Sequence, residues 1–314
     1  MKAIAHAAAE KILFSNFPII PPMLFFWTTR KRCAGCGGLR LYYTNQSRKT
    51  PLSFQSMMNR LEYRDVTMDF PASKGAGTVT AVADVTFSVG DGEVVSLIGP
   101  SGCGKSTLLN IGSGLYQPTK GQTFVDGERV DGPSAHVAFM LQKDLLLPWR
   151  TIRENVMFGV QIQRHSGDEC RRRADRLLNN FGLSEFANRY PDQLSGGMRQ
   201  RVALARTLAV DPTVLLLDEP FSAIDAQTRI VLQRDLAGTL KAAGKTALLI
   251  THDLLEAVTL ADRVLVMSHR PGRIIDEIKI EIPDRDNPIK RRRHSNVERY
   301  VQRLMDRLEI GHTA

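Results

Sequence analysis

Cysteine and tryptophan are scarce in this sequence, with four and two residues in 314. Four cysteines in a chain of this length do not form the disulfide framework of a small secreted domain. Cys33 and Cys36 make a single C-x-x-C pair, but the two further ligands that a zinc site needs are not nearby. Cys103 lies in a glycine-rich segment, and a free thiol at that place indicates a protein of a reducing compartment.

Acidic residues are nearly absent from the first 60 positions, where Glu10 stands alone against nine lysines and arginines. The remaining residues carry 33 basic and 32 acidic groups. The formal net charge of +9 is therefore an N-terminal property, and the rest of the chain is nearly neutral. The charge gives no reason to expect a nucleic-acid partner.

Long uninterrupted apolar runs are also missing. The largely apolar stretch Ile12–Thr29 contains three prolines, whereas a membrane-spanning helix needs about 20 apolar residues. No run of that length follows Met58. We expect residues 1–58 to form an N-terminal extension, of which residues 1–56 are disordered or are not translated because synthesis starts at Met57 or Met58. A targeting segment is the alternative.

A phosphate-binding loop is the clearest feature that is present. Gly99–Thr107 fits the pattern G-x-x-x-x-G-K-[ST], with a buried strand predicted before it and a helix after it. Glycines allow successive backbone N–H groups to surround an anion, Lys105 adds a charge for the phosphates, and the Ser106 hydroxyl is a ligand for Mg²⁺. The nucleotide-binding residues predicted here are Gly99, Pro100, Ser101, Gly102, Cys103, Gly104, Lys105, Ser106 and Thr107.

Two further motifs follow in the chain. Val214–Pro220 reads as a buried strand that ends in Asp218 and Glu219, which suits a magnesium ligand and a base for the attacking water. Leu194–Arg201 reads L-S-G-G-M-R-Q-R, in which Ser195 caps a helix with a bare, glycine-rich N-terminus. One phosphate loop is enough to hold one triphosphate, so this second anion site predicts a second triphosphate.

The order of these motifs resembles the ATPase subunit of ABC transporters over roughly Leu61–Ile282. The resemblance implies an α/β fold: a P-loop ABC ATPase with a RecA-like parallel-sheet core, an antiparallel β subdomain and an inserted helical subdomain at about 151–209. The ATPase domain would cover residues 59–285, and residues 286–314 would form a C-terminal helical tail. The cofactors implied are ATP and Mg²⁺.

The resemblance also implies roles for individual residues. Lys105 would serve catalysis as well as binding, Gln142 would contact Mg²⁺ and report nucleotide to the membrane partner, Glu219 would be the catalytic carboxylate, and His252 would sense the γ-phosphate. Phe70 is our choice for the aromatic that stacks on adenine, with Tyr63 the poorer one. The magnesium ligands would be Ser106, Gln142 and Asp218. The residues implied to reach nucleotide across a dimer interface, or to link its two sites, are Ser195, Gly196, Gly197, Gln200 and Asp225.

The expected partners are permease subunits on separate polypeptides, a second copy of the chain in an ATP-sandwich dimer and, indirectly, a solute-binding protein. Leu145–Trp149 and Ser268–Ile274 are similar to the nitrate, sulfonate and taurine branch of importers, which implies import of a small anionic solute. The subunit would lie at the cytoplasmic face of the inner membrane as a peripheral protein. A soluble ABC ATPase acting on ribosomes or DNA is the alternative, and a P-loop kinase would have no use for Leu194–Arg201. We expect the basic clusters Arg171–Arg173 and Lys290–His294 to be solvated, although the second could touch anionic lipid headgroups.

Overall fold

The computed structural model describes residues 59–72, 77–222 and 224–309. The predictions made for residues 1–58, including Cys33 and Cys36, lie outside these ranges. The strands are β1 (Asn59–Pro71), β2 (Thr78–Gly90), β3 (Val94–Ile98), β4 (Lys120–Val125), β5 (Glu128–Arg129), β6 (Val137–Met140), β7 (Val214–Asp218), β8 (Thr246–Ile250), β9 (Arg263–Met267) and β10 (Ile274–Lys279). The helices are α1 (Lys105–Gly112), α2 (Ile152–Ile162), α3 (Gly167–Asn180), α4 (Gly196–Ala209), α5 (Ala226–Ala242), α6 (Leu254–Leu260), α7 (Pro288–Arg292) and α8 (Val297–Arg307).

The larger sheet has the strand order β10-β9-β3-β8-β7-β6, and its strands are parallel except for β10. Strands β3, β7 and β8 are buried along their whole length. Their near-continuous apolar sequences are typical of strands covered on both faces. The carboxyl ends of β3, β6, β7 and β8 therefore meet at one edge, where α/β proteins place their ligands.

The second sheet is antiparallel, with the order β2-β1-β4-β5. Strand β1 continues to Pro71, because its pairing with β2 extends to Pro71 and Thr78. Side chains of this sheet share an apolar core with α1 and with the inner faces of β3, β7 and β8. The β subdomain is thereby packed beside the phosphate loop.

Helices α2, α3 and α4 occupy the segment predicted to be helical, and α2 begins with a capping box between Thr151 and Glu154. The final helix α8 buries Leu304 in a second apolar core, to which α2, α3 and α4 also contribute, and the Glu281 backbone N–H donates to the Tyr300 hydroxyl. No helix within the described ranges is long and apolar enough to cross a bilayer.

The expectation that Lys290–His294 is a solvated cluster is wrong for Arg291. Its side chain is only 2% exposed and donates to carbonyls at the end of α6 and to the Ile282 carbonyl. The cluster lies in α7, which packs against α5 and α6, so one arginine of the run faces inward while Arg293 faces solvent.

Candidate nucleotide site

The phosphate loop joins β3 to α1. Gly102 and Gly104 have φ angles of 75° and 104°, which glycine adopts without strain. A Cβ atom at Gly104 would overlap the Val82 side chain. Gly104 precedes α1 with no side-chain cap, so the first N–H groups of this helix remain free to bind an anion.

The Lys105 ammonium lies across this loop. Its Nζ donates to the carbonyl oxygens of Gly99 at 2.7 Å and Pro100 at 2.9 Å. The Cys103 side chain is buried beneath the loop, with Sγ 3.8 Å from the same Nζ. A single fixed positive charge therefore accompanies the backbone N–H groups of the loop.

Asp218 ends β7 beside the start of α1. Burial raises the pKa of its carboxyl group, and the Glu219 charge acts in the same direction, while a hydrogen bond with Ser106 and the charge of Lys105 oppose the shift. A largely buried carboxylate beside a hydroxyl is a site that gains stability from a cation. These oxygen ligands fit Mg²⁺, which binds a few protein oxygens and keeps water and phosphate as its other ligands.

Glu219 is held in a strained backbone conformation, with φ of 46°. Its backbone N–H donates to the Ile250 carbonyl at 3.0 Å. Its Oε2 accepts a hydrogen bond from Gln142 Nε2 at 2.9 Å and lies 3.3 Å from His252 Nδ1. Residues from the ends of three neighbouring strands, β6, β7 and β8, thus converge on one carboxylate oxygen.

Most of the predicted residues line one cavity of about 490 Å³. The underside of the loop is formed by Gly99, Pro100 and Cys103. His252 lies next to Glu219, which lines the cavity. The predicted residues that line it are Phe70, Ser101, Gly102, Gly104, Lys105, Ser106, Thr107, Gln142, Asp218 and Glu219.

The two aromatic candidates differ clearly. Phe70 lines the cavity, whereas Tyr63 is fully buried, stacks on Phe87 and donates its hydroxyl to the Leu108 carbonyl at 2.7 Å. Tyr116, which the sequence analysis did not select, packs edge-on against Phe70 with ring centroids 5.8 Å apart. Of the two predicted candidates, Phe70 is thus the one that lines the cavity, and Tyr63 belongs to the core.

The residues of the predicted second anion site do not line this cavity. Ser195 caps α4 by accepting from the Met198 backbone N–H at 3.3 Å. Among the described residues, a Cβ atom at Gly197 would touch only Ile224 and Thr228, at 3.8 and 4.0 Å. The N-terminus of α4, which begins at Gly196, therefore lies beside the start of α5. Gln200 is 3% exposed and its amide nitrogen has no partner among the described residues, which places it inside the fold.

Asp225 caps α5 and accepts a hydrogen bond from the Thr228 backbone N–H at 3.0 Å. That hydrogen bond is the main reason that the pKa of Asp225 is lowered. The Arg229 guanidinium donates to the Ile224 carbonyl at 2.9 Å and lies 3.8 Å from the Asp253 carboxylate. The segment before α5 is thereby joined to the turn that carries His252.

One cavity-lining residue, Arg270, belongs to none of the predicted motif roles. It lies in the turn between β9 and β10, far along the chain from the phosphate loop. The sequence analysis used this turn only for its resemblance to a branch of importers.

The phosphate loop, the acidic end of β7 and the separate capped helix α4 together define an ATPase cassette of the ABC class. The ABC transporter family model matches residues 82–222, and the chain belongs to that family as an ATP-binding subunit that hydrolyses ATP. The predicted family, fold class and enzyme activity are confirmed.

Three comparisons illustrate the likeness. The chain is 44% identical over 227 residues to the taurine import ATP-binding protein TauB of Jannaschia sp., covering 72% of this chain and 84% of that protein. It is 43% identical over 252 residues to the nitrate import ATP-binding protein NrtD of Synechococcus elongatus, covering 80% and 90%. A dimeric post-hydrolysis structure of the ATP-binding cassette MJ0796 with ADP and Pi matches with a TM-score of 0.64 and 33% identity, covering 70% of this chain and 99% of that one.

Proposed function

We propose that this chain is the ATP-hydrolysing subunit of an importer for a small anionic solute such as taurine, another sulfonate or nitrate. The printed functions of the TauB and NrtD relatives support that solute class. The subunit would act as a peripheral protein at the cytoplasmic face of the inner membrane, bound to separate permease subunits and served by a solute-binding protein.

The proposed mechanism rests on one observation: the phosphate loop and the capped N-terminus of α4 lie in different places on the chain. The cavity contains Lys105 and the acidic strand end, whereas Ser195 and Gly197 lie at another helix terminus outside it. A second copy placed head to tail would bring its Ser195–Gly197 segment over the triphosphate held by Lys105 of the first. The dimeric MJ0796 cassette supports two copies as the working unit.

Within the cavity, the geometry suggests a separate role for each side chain. Ser106, Asp218 and Gln142 would hold Mg²⁺, which neutralises phosphate charge when bound. The Oε2 atom of Glu219 would accept a proton from the attacking water as a general base. His252, 3.3 Å from that oxygen, would respond to the γ-phosphate.

The permease contact is proposed for the turn that follows Gln142. Trp149 is 70% and Leu145 52% exposed on this turn, and two arginines of α4 hold it. Arg206 donates to the Leu145 carbonyl at 2.9 Å, and Arg199 donates to the Asp144 carboxylate at 2.9 Å. Exposed apolar groups on a fixed turn suit a membrane-protein partner.

Glu219→Gln tests the proposed base. The amide keeps the size of the side chain and its contact with Gln142, but it cannot take a proton. We expect the full-length variant to bind ATP with affinity close to the wild type and to lose about 10²–10⁴-fold in turnover. Lys105→Ala should abolish ATP binding itself. Unchanged turnover in Glu219→Gln would remove this residue from the role.

Mixing two variants tests the shared sites. Lys105→Ala damages one half and Ser195→Arg the other, so neither variant alone has an intact site. In a head-to-tail dimer of one copy of each, one site combines an intact Lys105 with an intact Ser195. We expect gel filtration with ATP to show a dimer that retains one ATP only in the mixture. If the mixture behaves as the sum of the separate variants, each site is contained in one chain.

The solute class requires the assembled transporter. The subunit, its co-purifying membrane subunits and the solute-binding protein would be reconstituted in liposomes, and ATP hydrolysis would be measured with taurine, an alkanesulfonate or nitrate added in turn. Stimulation by one of these supports the proposal. Stimulation by none of them, with an active complex, contradicts the solute class, and co-purification with ribosomes or DNA would favour the alternative function.

A further inference from the structure

The turn between β9 and β10 packs directly on the phosphate loop. We call residues 268–273 of this turn the strap. A Cβ atom at Gly272 would overlap the Cys103 carbonyl, and one at Gly99 would come within 2.9 Å of Cβ of Met267, the last residue of β9 before the strap. Contacts this close leave no room for the loop and the strap to move independently.

The strap is also tied to β2 and to itself. The Gly272 backbone N–H donates to the Ala81 carbonyl and its own carbonyl accepts from the Ala83 N–H, both at 3.0 Å. The Ser268 hydroxyl donates toward the His269 and Pro271 carbonyls at 2.9 and 3.2 Å. The strap is therefore a fixed support between the β subdomain and the phosphate loop.

Arg270 is the strap residue that reaches the cavity. Its Nε and Nη2 donate to the Gly102 carbonyl at 3.1 and 2.9 Å. The same peptide unit contains the Cys103 N–H, which donates to the Pro100 carbonyl at 3.3 Å. The guanidinium therefore fixes the orientation of one peptide plane in the loop that is expected to hold the phosphates.

This arrangement leaves the rest of the guanidinium available to a ligand. Arginine has five N–H donors in a rigid fork, and the contacts of Arg270 with other described residues use only Nε and Nη2. The residue is exposed and lines the same cavity as Lys105. It brings a second cation to the cavity from a segment outside the phosphate loop.

We infer that Arg270 is a polyphosphate-positioning residue of the ATP site, which pins the phosphate loop through Gly102 and adds a donor and a positive charge beside the bound polyphosphate. This inference rests on the proposed nucleotide site. It extends that site to the strap, which is separated from the loop by more than 160 positions in sequence.

Arg270→Ala in the full-length protein is the main test, with ATP and ADP affinities measured by calorimetry and steady-state ATPase rates measured alongside. Loss of one charge-assisted hydrogen bond and a loop anchor should raise the Kd for both nucleotides by roughly 5–30-fold. The kcat at saturating ATP should stay within about twofold, because Arg270 does not touch Glu219.

Arg273→Ala is the matched control. Arg273 is an exposed arginine of the same strap, and its side chain pairs with Asp84 at 2.7 Å rather than with the phosphate loop. Its removal should leave both Kd values within twofold of wild type. Arg270→Lys keeps the charge but lacks the fork, so it should recover part of the affinity, and raised salt should weaken ATP binding less in Arg270→Ala than in the wild type.

The outcomes separate this inference from the assignment of the site. If Lys105→Ala retains ATP binding, the nucleotide site itself is misassigned. If Lys105→Ala loses binding while Arg270→Ala and Arg273→Ala have equal Kd values, only the role of Arg270 is overturned. Should Arg270→Ala fail to fold, Arg270→Lys and Arg270→Gln provide the same comparison, and equal Kd values for both and for wild type overturn the inference.

Discussion

Arg291 offers the sharpest test of how the C-terminal segment is held to the ATPase domain. Its Nη1 donates to the Ala261 carbonyl at 2.7 Å and more weakly to carbonyls of the last turn of α6, and its Nη2 donates to the Ile282 carbonyl at 2.6 Å. A cation at this position satisfies the unpaired carbonyls of a helix C-terminus and interacts favourably with its dipole.

The size of the effect follows from these contacts. Replacing Arg291 by alanine leaves at least two buried carbonyls, those of Ala261 and Ile282, without this donor. Each unpaired buried group costs about 1–3 kcal/mol, and the buried stem of the side chain is lost as well. We expect the free energy of unfolding to fall by about 3–5 kcal/mol, which corresponds to roughly 6–20 °C in Tm for a domain of this size.

Thermal and urea unfolding of the full-length protein would measure this loss, with Arg293→Ala as the control. Arg293 is an exposed neighbour in the same basic run, so its replacement should change stability by less than about 0.5 kcal/mol. Arg291→Lys, with a compact ammonium in place of a fork, should fall between the two. If Arg291→Ala and Arg293→Ala differ by less than about 1 kcal/mol, water replaces the arginine without penalty and the reasoning is refuted.

Two further predictions concern a buried acid and the adenine contact. The pKa of Glu256 is raised from 4.5 to about 8, mainly by burial and to a smaller extent by the nearby Asp253 carboxylate. The stability due to its protonated form is therefore full below about pH 4.5 and is lost as the pH rises through about 8. Glu256→Gln should remove this loss, so its Tm relative to wild type should rise between about pH 4.5 and pH 8 and level off above that, and a constant difference would contradict the shift. Phe70→Ala should weaken ATP binding about tenfold, the scale of base stacking on an aromatic ring. Tyr63→Phe should leave the affinity unchanged, and the reverse order in calorimetry would reassign the stacking residue.

The parts of the site that the sequence predicts are those whose chemistry is local. The phosphate loop needs glycines, one lysine and one serine within nine positions, and the flanking strand and helix can be read from adjacent residues. Strands β8 and β9 and helix α6 can be recognised in the same way, because each is a short, largely apolar run with clear breaks on both sides.

Contacts between distant segments could not be predicted in the same way. The bonds of Arg270 to Gly102 and of Arg291 to Ala261 join residues that share no motif. A run of basic residues usually indicates a solvated surface, so nothing local distinguishes Arg291 from Arg293. Only the packing of α7 against α6 determines which of the two is buried.

The contacts around Glu219 also suggest how the permease and the ATP site would influence each other. Gln142, at the end of β6, holds the carboxylate oxygen at 2.9 Å, and the exposed turn with Trp149 follows directly. The Arg199 guanidinium joins the Asp144 carboxylate on this turn to the Leu194 carbonyl, which precedes Ser195. A displacement of the turn by a membrane partner would therefore act on both parts of the proposed site. Through Gln142 it would move the proposed base, Glu219. Through Arg199 it would move the N-terminus of α4, which would cover the phosphate bound to the other copy. We expect such coupling to require both Gln142 and Arg199.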